Sequence, residues 1–300
     1  MKAEQELFFK YLTVSDVDLK WGLYITAGGY EKIKPKSVYP SIGHPSTYYF
    51  EYDSGRILKE YQILYITNGK GTFQSKKAGK IRVNEGTIIM LYPDEWHSYR
   101  PDKSTGWDEF WFGLKGPMVQ NILESGDFFT KKEPLIQIGH REFIFQLFEQ
   151  IIETIRNEPP AYQQIASGMA MHLLGRLFAI SKIKLFEGKQ VESQIRKAII
   201  IFRENTSSNI SPEIVADQLN MGYSWFRRMF KNYTGLSPAK YFQQMKMQHA
   251  KEFLLTTDKP IKEISYELGF DSIFYFSRQF KKVTGFAPSE YKKAHRLIDS

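Results

Sequence analysis

A chain of 300 residues, 42% hydrophobic and 25% charged, is long enough for two domains that each bury a core. It holds no cysteine, which excludes disulfides, thiol catalysis and Cys-based zinc sites and suits a reducing compartment. The formal net charge of +8 is uneven: residues 192–300 carry 17 Lys and Arg against 11 Asp and Glu, whereas residues 1–191 carry 24 against 22. The start, Met1-Lys-Ala-Glu-Gln-Glu6, lacks the apolar run of a signal peptide, and no stretch approaches membrane-spanning length. A cytoplasmic chain without membrane contact is expected.

The first ~138 residues alternate short β-branched and aromatic runs with turn residues. The runs are Tyr48–Tyr52, Tyr61–Thr67, Gly71–Ser75, Ile81–Val83, Thr87–Tyr92 and Glu109–Leu114. Asp53-Ser-Gly55, Asn68-Gly69, Asn84-Glu-Gly86 and Pro93-Asp94 separate them. Evenly spaced short strands of this kind predict an antiparallel barrel or sandwich. Two helices follow, over 141–157 and 161–183, split by Glu158-Pro159-Pro160. Their predicted apolar stripes are Phe143, Leu147, Ile151, Ile152 and Ile155, then Ile165, Met169, His172, Leu173, Arg176 and Leu177. Residues 184–191, with Gly188 and few apolar side chains, read as a linker.

The last third contains a diverged repeat. Phe226, Arg228, Phe230, Lys231, Thr234, Gly235, Pro238 and Tyr241 recur, 50 positions on, as Phe276, Arg278, Phe280, Lys281, Thr284, Gly285, Pro288 and Tyr291. One supersecondary unit is therefore used twice. In the first copy a helix starts at Ser211-Pro212, buries Ile214, Val215, Leu219 and Met221, and is broken by Gly222. The next helix buries Phe226, Met229, Phe230 and Tyr233. In the second copy Ile261, Ile264 and Leu268 form the first helix, Gly269 the turn, and Asp271 the predicted N-cap of a helix buried through Phe276 and Phe280. Two helices joined by a short turn, the second bearing Arg and Lys, is the layout that places a recognition helix in the major groove. The connector Tyr241–Leu255 has helical periodicity and a length of roughly 22 Å, suited to holding two such helices about one duplex turn (~34 Å) apart.

These residues resemble the DNA-binding domain of the AraC/XylS family of regulators. The resemblance is carried by Ala216-x-x-Leu219-x-Met221, Arg228-x-Phe230-Lys231, Thr234-Gly235-x-x-Pro238, Ala250-x-x-x-Leu254, Ile264-x-x-x-Leu268-Gly269-Phe270 and Tyr275-Phe276-x-Arg278-x-Phe280-Lys281. It departs at Gly222, where a Ser usually caps the helix, at Ser265, where an Ala usually packs, and at Lys246, where an Arg usually sits. Residues expected to face double-stranded DNA lie off the buried stripe near the start of each second helix. They are Tyr223, Ser224, Arg227 and Arg228 in the first unit and Ile273, Phe274, Tyr275 and Arg278 in the second. An Arg there can grip guanine O6 and N7, whereas Ile273 and Phe274 suit thymine methyls or a backbone contact. Lys231, Lys281 and Lys282 are expected on phosphates.

In the N-terminal region, Gly86-Thr-Ile-Ile-Met-Leu-Tyr-Pro93-Asp-Glu-Trp-His97 resembles the second motif of cupin barrels. Arg56, Glu60, Tyr61, Tyr65 and Gly69 fall where the first motif would lie. With Gly106-Trp107 to Gly116, the region looks like the sensor domain of AraC-type regulators. A catalytic cupin needs a His-x-His pair, a Glu and a later His to converge on one ion. Here Arg56, Leu58 and Tyr61 replace the first ligands and only His97 remains, so neither a metal nor another cofactor is expected. A small-molecule pocket is the better use of the barrel. Its candidate lining is His44, Tyr48, Arg56, Glu60, Trp96, His97, Tyr99, Arg100, Trp107 and Trp111: aromatic rings to stack on a sugar, with Arg, Glu and His for its hydroxyls. There is no Gly-x-Ser-x-Gly, phosphate-cradling loop or His-Glu-x-x-His.

The expected architecture is thus a cupin-like (jelly-roll) β-barrel over 1–138, a helical hairpin over 139–183, a linker over 184–191, and an all-α domain with two helix-turn-helix units over 192–300. The expected function is transcriptional regulation in response to a small molecule of carbohydrate type, without enzymatic activity. The resemblance implies a homodimer formed through the hairpin. Two alternatives stand beside it: a constitutive DNA binder whose barrel senses nothing, and a metal-dependent cupin enzyme tethered to DNA.

Overall fold

Residues 7–41, 45, 48–125, 128–183 and 190–296 are described by a computed structural model, which divides into two units, Met1–Ser181 and Lys182–Ser300. Among the described residues the first is built on nine strands: β1 (Leu7–Tyr11), β2 (Tyr24–Ile33), β3 (Arg56–Ile57), β4 (Tyr61–Ser75), β5 (Gly79–Asn84), β6 (Thr87–Leu91), β7 (Trp96–Pro101), β8 (Trp107–Lys115) and β9 (Leu135–Gln137). All pairings are antiparallel, along the path β1-β2-β8-β4-β6-β9, with β5 and β7 on β4 and β3 on β7. Asn68-Gly69 does not separate two strands. It is a corner inside the 15-residue β4, whose first half pairs with β6 and β8 and whose second half pairs with β5 and β7. The register slips between Ile66 and Asn68, and Gly69 takes φ +83° with the Gly106 carbonyl where a Cβ would stand. Such a bulge lets one strand serve two sheets.

The predicted run Tyr48–Tyr52 is not a strand. Its carbonyls serve side chains instead of a ladder: Tyr48 O accepts from Arg56 and Tyr52 O from Ser98 Oγ at 2.6 Å. Helix α1 (Asp16–Trp21), unforeseen, starts at Ser15 in a reciprocal capping box with Asp18. Helix α2 (Pro117–Glu124) follows β8 directly.

Period-two alternation splits this sheet into two faces. Ile63, Tyr65, Ile88, Met90, Phe110 and Phe112 turn to one side and pack on α3 (Glu142–Asn157) and α4 (Tyr162–Ile183), with Phe112 on Phe148 at 5.3 Å and Phe110 on Phe145 at 5.1 Å. Leu64, Ile66, Ile89, Leu91, Trp107 and Trp111 turn to the other and form a separate apolar core. The helices bury Ile144, Leu147, Phe148, Ile151, Ile152 and Ile155, then Ala166, Ala170, Leu173, Leu174 and Leu177. The predicted stripes included Phe143, Ile165, His172 and Arg176, all of which are exposed; the apolar buried faces run instead from Ile144 and from Ala166. Gln163 pins α4 to the sheet: its amide bonds both N and O of Ile25 (3.0 and 2.9 Å), beside the bulge at Ile25/Ala27.

The second unit comprises α5 (Val191–Glu204), α6 (Pro212–Gln218), α7 (Tyr223–Thr234), α8 (Pro238–Thr256), α9 (Ile261–Glu267), α10 (Ile273–Thr284) and α11 (Pro288–Arg296). Residues 184–189 of the expected linker lie outside the described residues. The repeated Thr-Gly is a helix stop. Thr234 Oγ1 donates to Phe230 O (2.8 Å) and accepts from Leu236 N (3.2 Å), while Thr284 Oγ1 repeats both bonds with Phe280 and Phe286 at the same distances. Gly235 and Gly285 then take left-handed C-caps, and a proline opens the next helix.

The turn residue of the first copy is Asn220 (φ +52°), not Gly222, and it matches Gly269 (φ +67°). Met221 N bonds Ala216 O just as Phe270 N bonds Ser265 O. Gly269 is required: the Ser208 backbone lies 2.9 Å from where its Cβ would be. The second copy then inserts one residue, so Ser272, not Asp271, caps α10 through Tyr275 N. Ile214 and Tyr233, predicted as buried, are 49% and 36% exposed. Helix α8 starts earlier than the predicted connector and is ~28 Å long. Its Phe242 belongs to the core of the first helix-turn-helix copy, and its Met247, Ala250 and Leu254 belong to that of the second copy.

Candidate effector chamber and DNA-facing helices

The apolar side of the sheet closes around a small polar chamber. Of the predicted lining, Tyr48, Arg56, Tyr99 and Trp111 reach it; Tyr11, Glu31, Tyr39, Pro40, Phe50, Gln62 and Glu109 complete it. Its free volume is about 20 Å³, room for about one water. Arg56 is the hub. It donates to Tyr99 OH (2.6 Å), Gln62 Oε1 (3.3 Å), His97 Nε2 (3.3 Å) and the Tyr48 carbonyl, and its guanidinium lies 4.7 Å from the Phe50 ring centre.

Several predicted residues take other places. His97 is 1% exposed; its Nδ1 faces Glu95 O at 3.0 Å, so its Nε2 is left to accept from Arg56. Burial, then the nearby guanidinium, depresses its pKa to about 3 and keeps the ring neutral. It positions Arg56 from behind the chamber wall. Trp96 and Arg100 lie outside because they alternate with His97 and Tyr99 on β7: Trp96 Nε1 bonds Ser54 O, and the exposed Arg100 stacks 3.8 Å from the Tyr52 ring centre. Trp107 fills the core at 1% exposure instead of lining the chamber. Glu60 stands in the wall, its Oε1 bonded by Tyr48 OH (3.2 Å) and Gln62 Nε2 (3.0 Å). Behind it opens a cleft of about 810 Å³ lined by Lys59, Tyr92, Asp94, Lys115 and Lys131 among others. Gly113 permits this, because a Cβ there would strike Glu60 Oε1 at 2.4 Å. His44 lies outside the described residues.

Glu31 and Glu109 could not be placed from spacing alone, since they meet only through the β2–β8 register. Burial, with Glu31 opposite as the second cause, pushes the Glu109 carboxyl up to about 8. Burial likewise raises Glu31, and it holds Tyr99 at about 12 and Tyr39 well above its usual value. The chamber tyrosines are therefore neutral hydrogen-bonding groups. Among the described residues, no three His, Cys, Asp or Glu converge as metal ligands.

On the second unit, Ser224, Arg227, Arg228 and Lys231 are exposed on α7, with Tyr223 half-buried. Burial, then a bond with Glu213, raises the Tyr223 hydroxyl. Arg228 stacks on Trp225 (4.6 Å), a residue not singled out from sequence. On α10, Phe274 is 86% exposed, Tyr275, Arg278, Lys281 and Lys282 are exposed, and Ile273 is half-buried. Lys246 of α8 is buried where the resemblance expected Arg. Its ammonium donates to Ser208 O (2.6 Å) and Asn209 Oδ1 (3.3 Å) and lies between the Phe242 and Phe270 rings (4.8 and 5.2 Å). One lysine thus ties the approach to α6 to the turn before α10. Ser265, at 0% exposure, satisfies its hydroxyl on Lys262 O.

Residues 36–179 match the AraC-like ligand binding domain, and residues 215–294 match a helix-turn-helix domain. Among similar proteins, the MmsAB operon regulatory protein of Pseudomonas aeruginosa is 26% identical, over 79% of this chain and 76% of that one. The lactose operon transcription activator of Staphylococcus xylosus is 27% identical over 84% and 88%. The raffinose operon transcriptional regulatory protein of Pediococcus pentosaceus is 25% identical over 82% and 89%. A ligand-binding sensor joined to a helix-turn-helix domain, in one chain aligned along most of its length with operon regulators, is not an enzyme. The chain belongs to the AraC/XylS family of transcriptional regulators.

Proposed function

We propose that this regulator responds to a carbohydrate bound in the chamber around Arg56. The observation that carries the reading is the chamber's lining: a guanidinium, two carboxyls and an amide set among Tyr11, Tyr39, Tyr48, Phe50, Tyr99 and Trp111. Ring faces of a sugar stack on aromatics while its hydroxyls take charged and amide groups. Two of the similar proteins are named for lactose and raffinose operons. Because the free space holds about one water, a sugar must displace side chains. Tyr39, Pro40, Tyr48 and Phe50 come from the connection between β2 and β3, outside the strand ladders, and are the side chains to yield. The response then begins as movement of these four side chains.

Operator recognition falls to α7 and α10. Arg227, Arg228 and Arg278 are assigned to base edges, Ser224, Tyr223 and Tyr275 to the adjoining contacts, Ile273 and Phe274 to thymine methyls, and Lys231, Lys281 and Lys282 to phosphates. Homodimerisation is assigned to the outward face of the α3–α4 hairpin, which leaves Phe143, Ile165 and Phe178 between 39% and 47% exposed. The deciding experiment is calorimetry of the full chain against mono- and oligosaccharides, with and without chelator, using parent and Trp111→Ala. Chelator-insensitive binding that is lost in the variant supports the reading. A panel without a binding sugar, or a chelator-dependent signal, refutes it.

A further inference from the structure

More carboxyls than cations converge on the chamber. Glu31 of β2 and Glu109 of β8 are direct cross-strand partners, 6% and 5% exposed, and both line the cavity. Glu60, 5% exposed, stands in the wall beside them. Like charges placed directly opposite on a sheet are destabilising, and buried carboxylates are normally paired or neutralised. Arg56, the cation facing them, has four of its five N–H donors engaged by His97, Gln62, Tyr99 and the Tyr48 carbonyl, all neutral. Glu109 accepts from Tyr39 OH (3.1 Å) and Glu31 from Ser41 Oγ; among the described residues neither forms an ion pair. Trp107 Nε1 is buried without a hydrogen bond of good geometry and is turned towards Glu109. The two carboxyls thus keep acceptor positions open to a hydroxyl or ammonium donor, while the guanidinium that could meet an anion is largely spent on neutral partners.

We propose that the chamber selects its effector by charge: it takes a polyhydroxylated compound that is neutral or cationic and refuses sugar acids and sugar phosphates, with Glu31 and Glu109 as the specificity-determining pair. This rests on the carbohydrate reading above. A hydroxyl donates to either carboxylate at no electrostatic cost. An anionic group brought within ~5 Å of one carboxylate meets a repulsion worth roughly a hundredfold or more in affinity at an effective dielectric of about 20. Glu109 titrates near 8, in view of Glu31 across the strand pair, Tyr39 and Arg56 from the β2–β3 side and Tyr99 of β7. Discrimination against anions therefore widens as pH rises through that value.

The test is calorimetry of the full chain with matched probes: glucose with glucuronate and glucose 6-phosphate, galactose with galacturonate, lactose with lactobionate. Wherever the neutral member binds, its acid or phosphate is expected to bind at least about a hundredfold more weakly at pH 8.5, with a smaller gap at pH 6. In Glu109→Gln the gap should narrow by about tenfold or more, with Glu31 left to repel the anion, and Glu31→Gln supplies the same readout should the first variant fail to fold. Acid and neutral forms that bind alike, or a gap unchanged in both variants, would overturn the charge rule while leaving the carbohydrate reading intact. A panel in which nothing neutral binds removes both.

Discussion

Replacing Glu109 by Gln tests whether the chamber holds an ionisable carboxyl at a cost to the fold. Burial first, and Glu31 second, push that carboxyl up to about 8, whereas an unfolded chain would titrate near 4.3. Between these values the folded protein retains a proton that the unfolded chain has lost. Its stability therefore falls as pH rises, by up to ~1.4 kcal/mol per pH unit and up to ~5 kcal/mol in all, and levels off above about 8. Glutamine has nearly the same volume, can still accept from Tyr39 OH and does not titrate. Glu31 is raised too, and it titrates in both proteins, so the difference between the two curves reports Glu109 and its coupling to Glu31. The variant is expected to match the parent at pH 5 and to gain ~1 kcal/mol for each pH unit up to pH 8. Urea unfolding of the full chain at pH 5, 6, 7 and 8 measures this through tryptophan emission, since four of the five tryptophans, Trp21, Trp96, Trp107 and Trp111, lie in the sensor unit and Trp225 adds a pH-independent background common to both proteins. Parallel curves for the two proteins would show that Glu109 does not titrate in this window, and the account of the chamber's electrostatics would fail.

Gly222→Ser should stabilise the DNA-binding unit by ~0.5–1 kcal/mol. Gly222 is the N-cap of α7 at φ −60° and ψ 132°, it makes no side-chain cap, and nothing stands within 4 Å of where a Cβ would be. A lowered melting temperature would contradict this. Thr234→Val and Thr284→Val each remove one helix-stop hydroxyl bonded alike in both copies; each should cost about 1 kcal/mol. Unequal losses in chemical denaturation would mean that the two stops are not equivalent. Phe274→Ala, at a position 86% exposed, should leave stability within about 0.5 kcal/mol while weakening operator binding at one A·T position. An operator mutant library with no position-specific change would remove Phe274 from readout. Arg228→Ala and Arg278→Ala should each cost ~1–3 kcal/mol and relax one base preference, while Lys281→Ala weakens all sequences alike and lowers the salt slope. Uniform weakening by both arginine variants would move them to the phosphate contacts.

The DNA-binding unit was legible because its signals are local. Ser211 before Pro212, the Thr-Gly stops and the Phe226/Phe230 and Phe276/Phe280 stripes all act within a few residues along one helix. Repetition then removed the ambiguity that a single copy would have left. Even here a one-residue insertion after the turn moved the cap from Asp271 to Ser272, and Asn220 took the left-handed position that a glycine was expected to fill. The hairpin was legible as two helices but not in its facing. Phe143 and Ile165 fit a helical period as well as the residues that follow them, and only the sheet beneath decided which stripe is buried.

The chamber shows the other extreme. Aromatic and charged residues in an antiparallel domain could be read from the chain, and Tyr48, Arg56, Tyr99 and Trp111 proved to belong together. Which of their neighbours join them depends on strand register. Trp96 and Arg100 are adjacent in sequence to inward residues and point away for that reason. Glu31 and Glu109 are 78 positions apart and meet because β2 pairs with β8 through a bulge at Ile25/Ala27. A strand's alternation states only that two faces differ. The bulges and pairings that choose between those faces are long-range hydrogen-bond geometry, set when distant segments pack, so the amino-acid order alone determined the kind of domain and the tertiary fold determined its site.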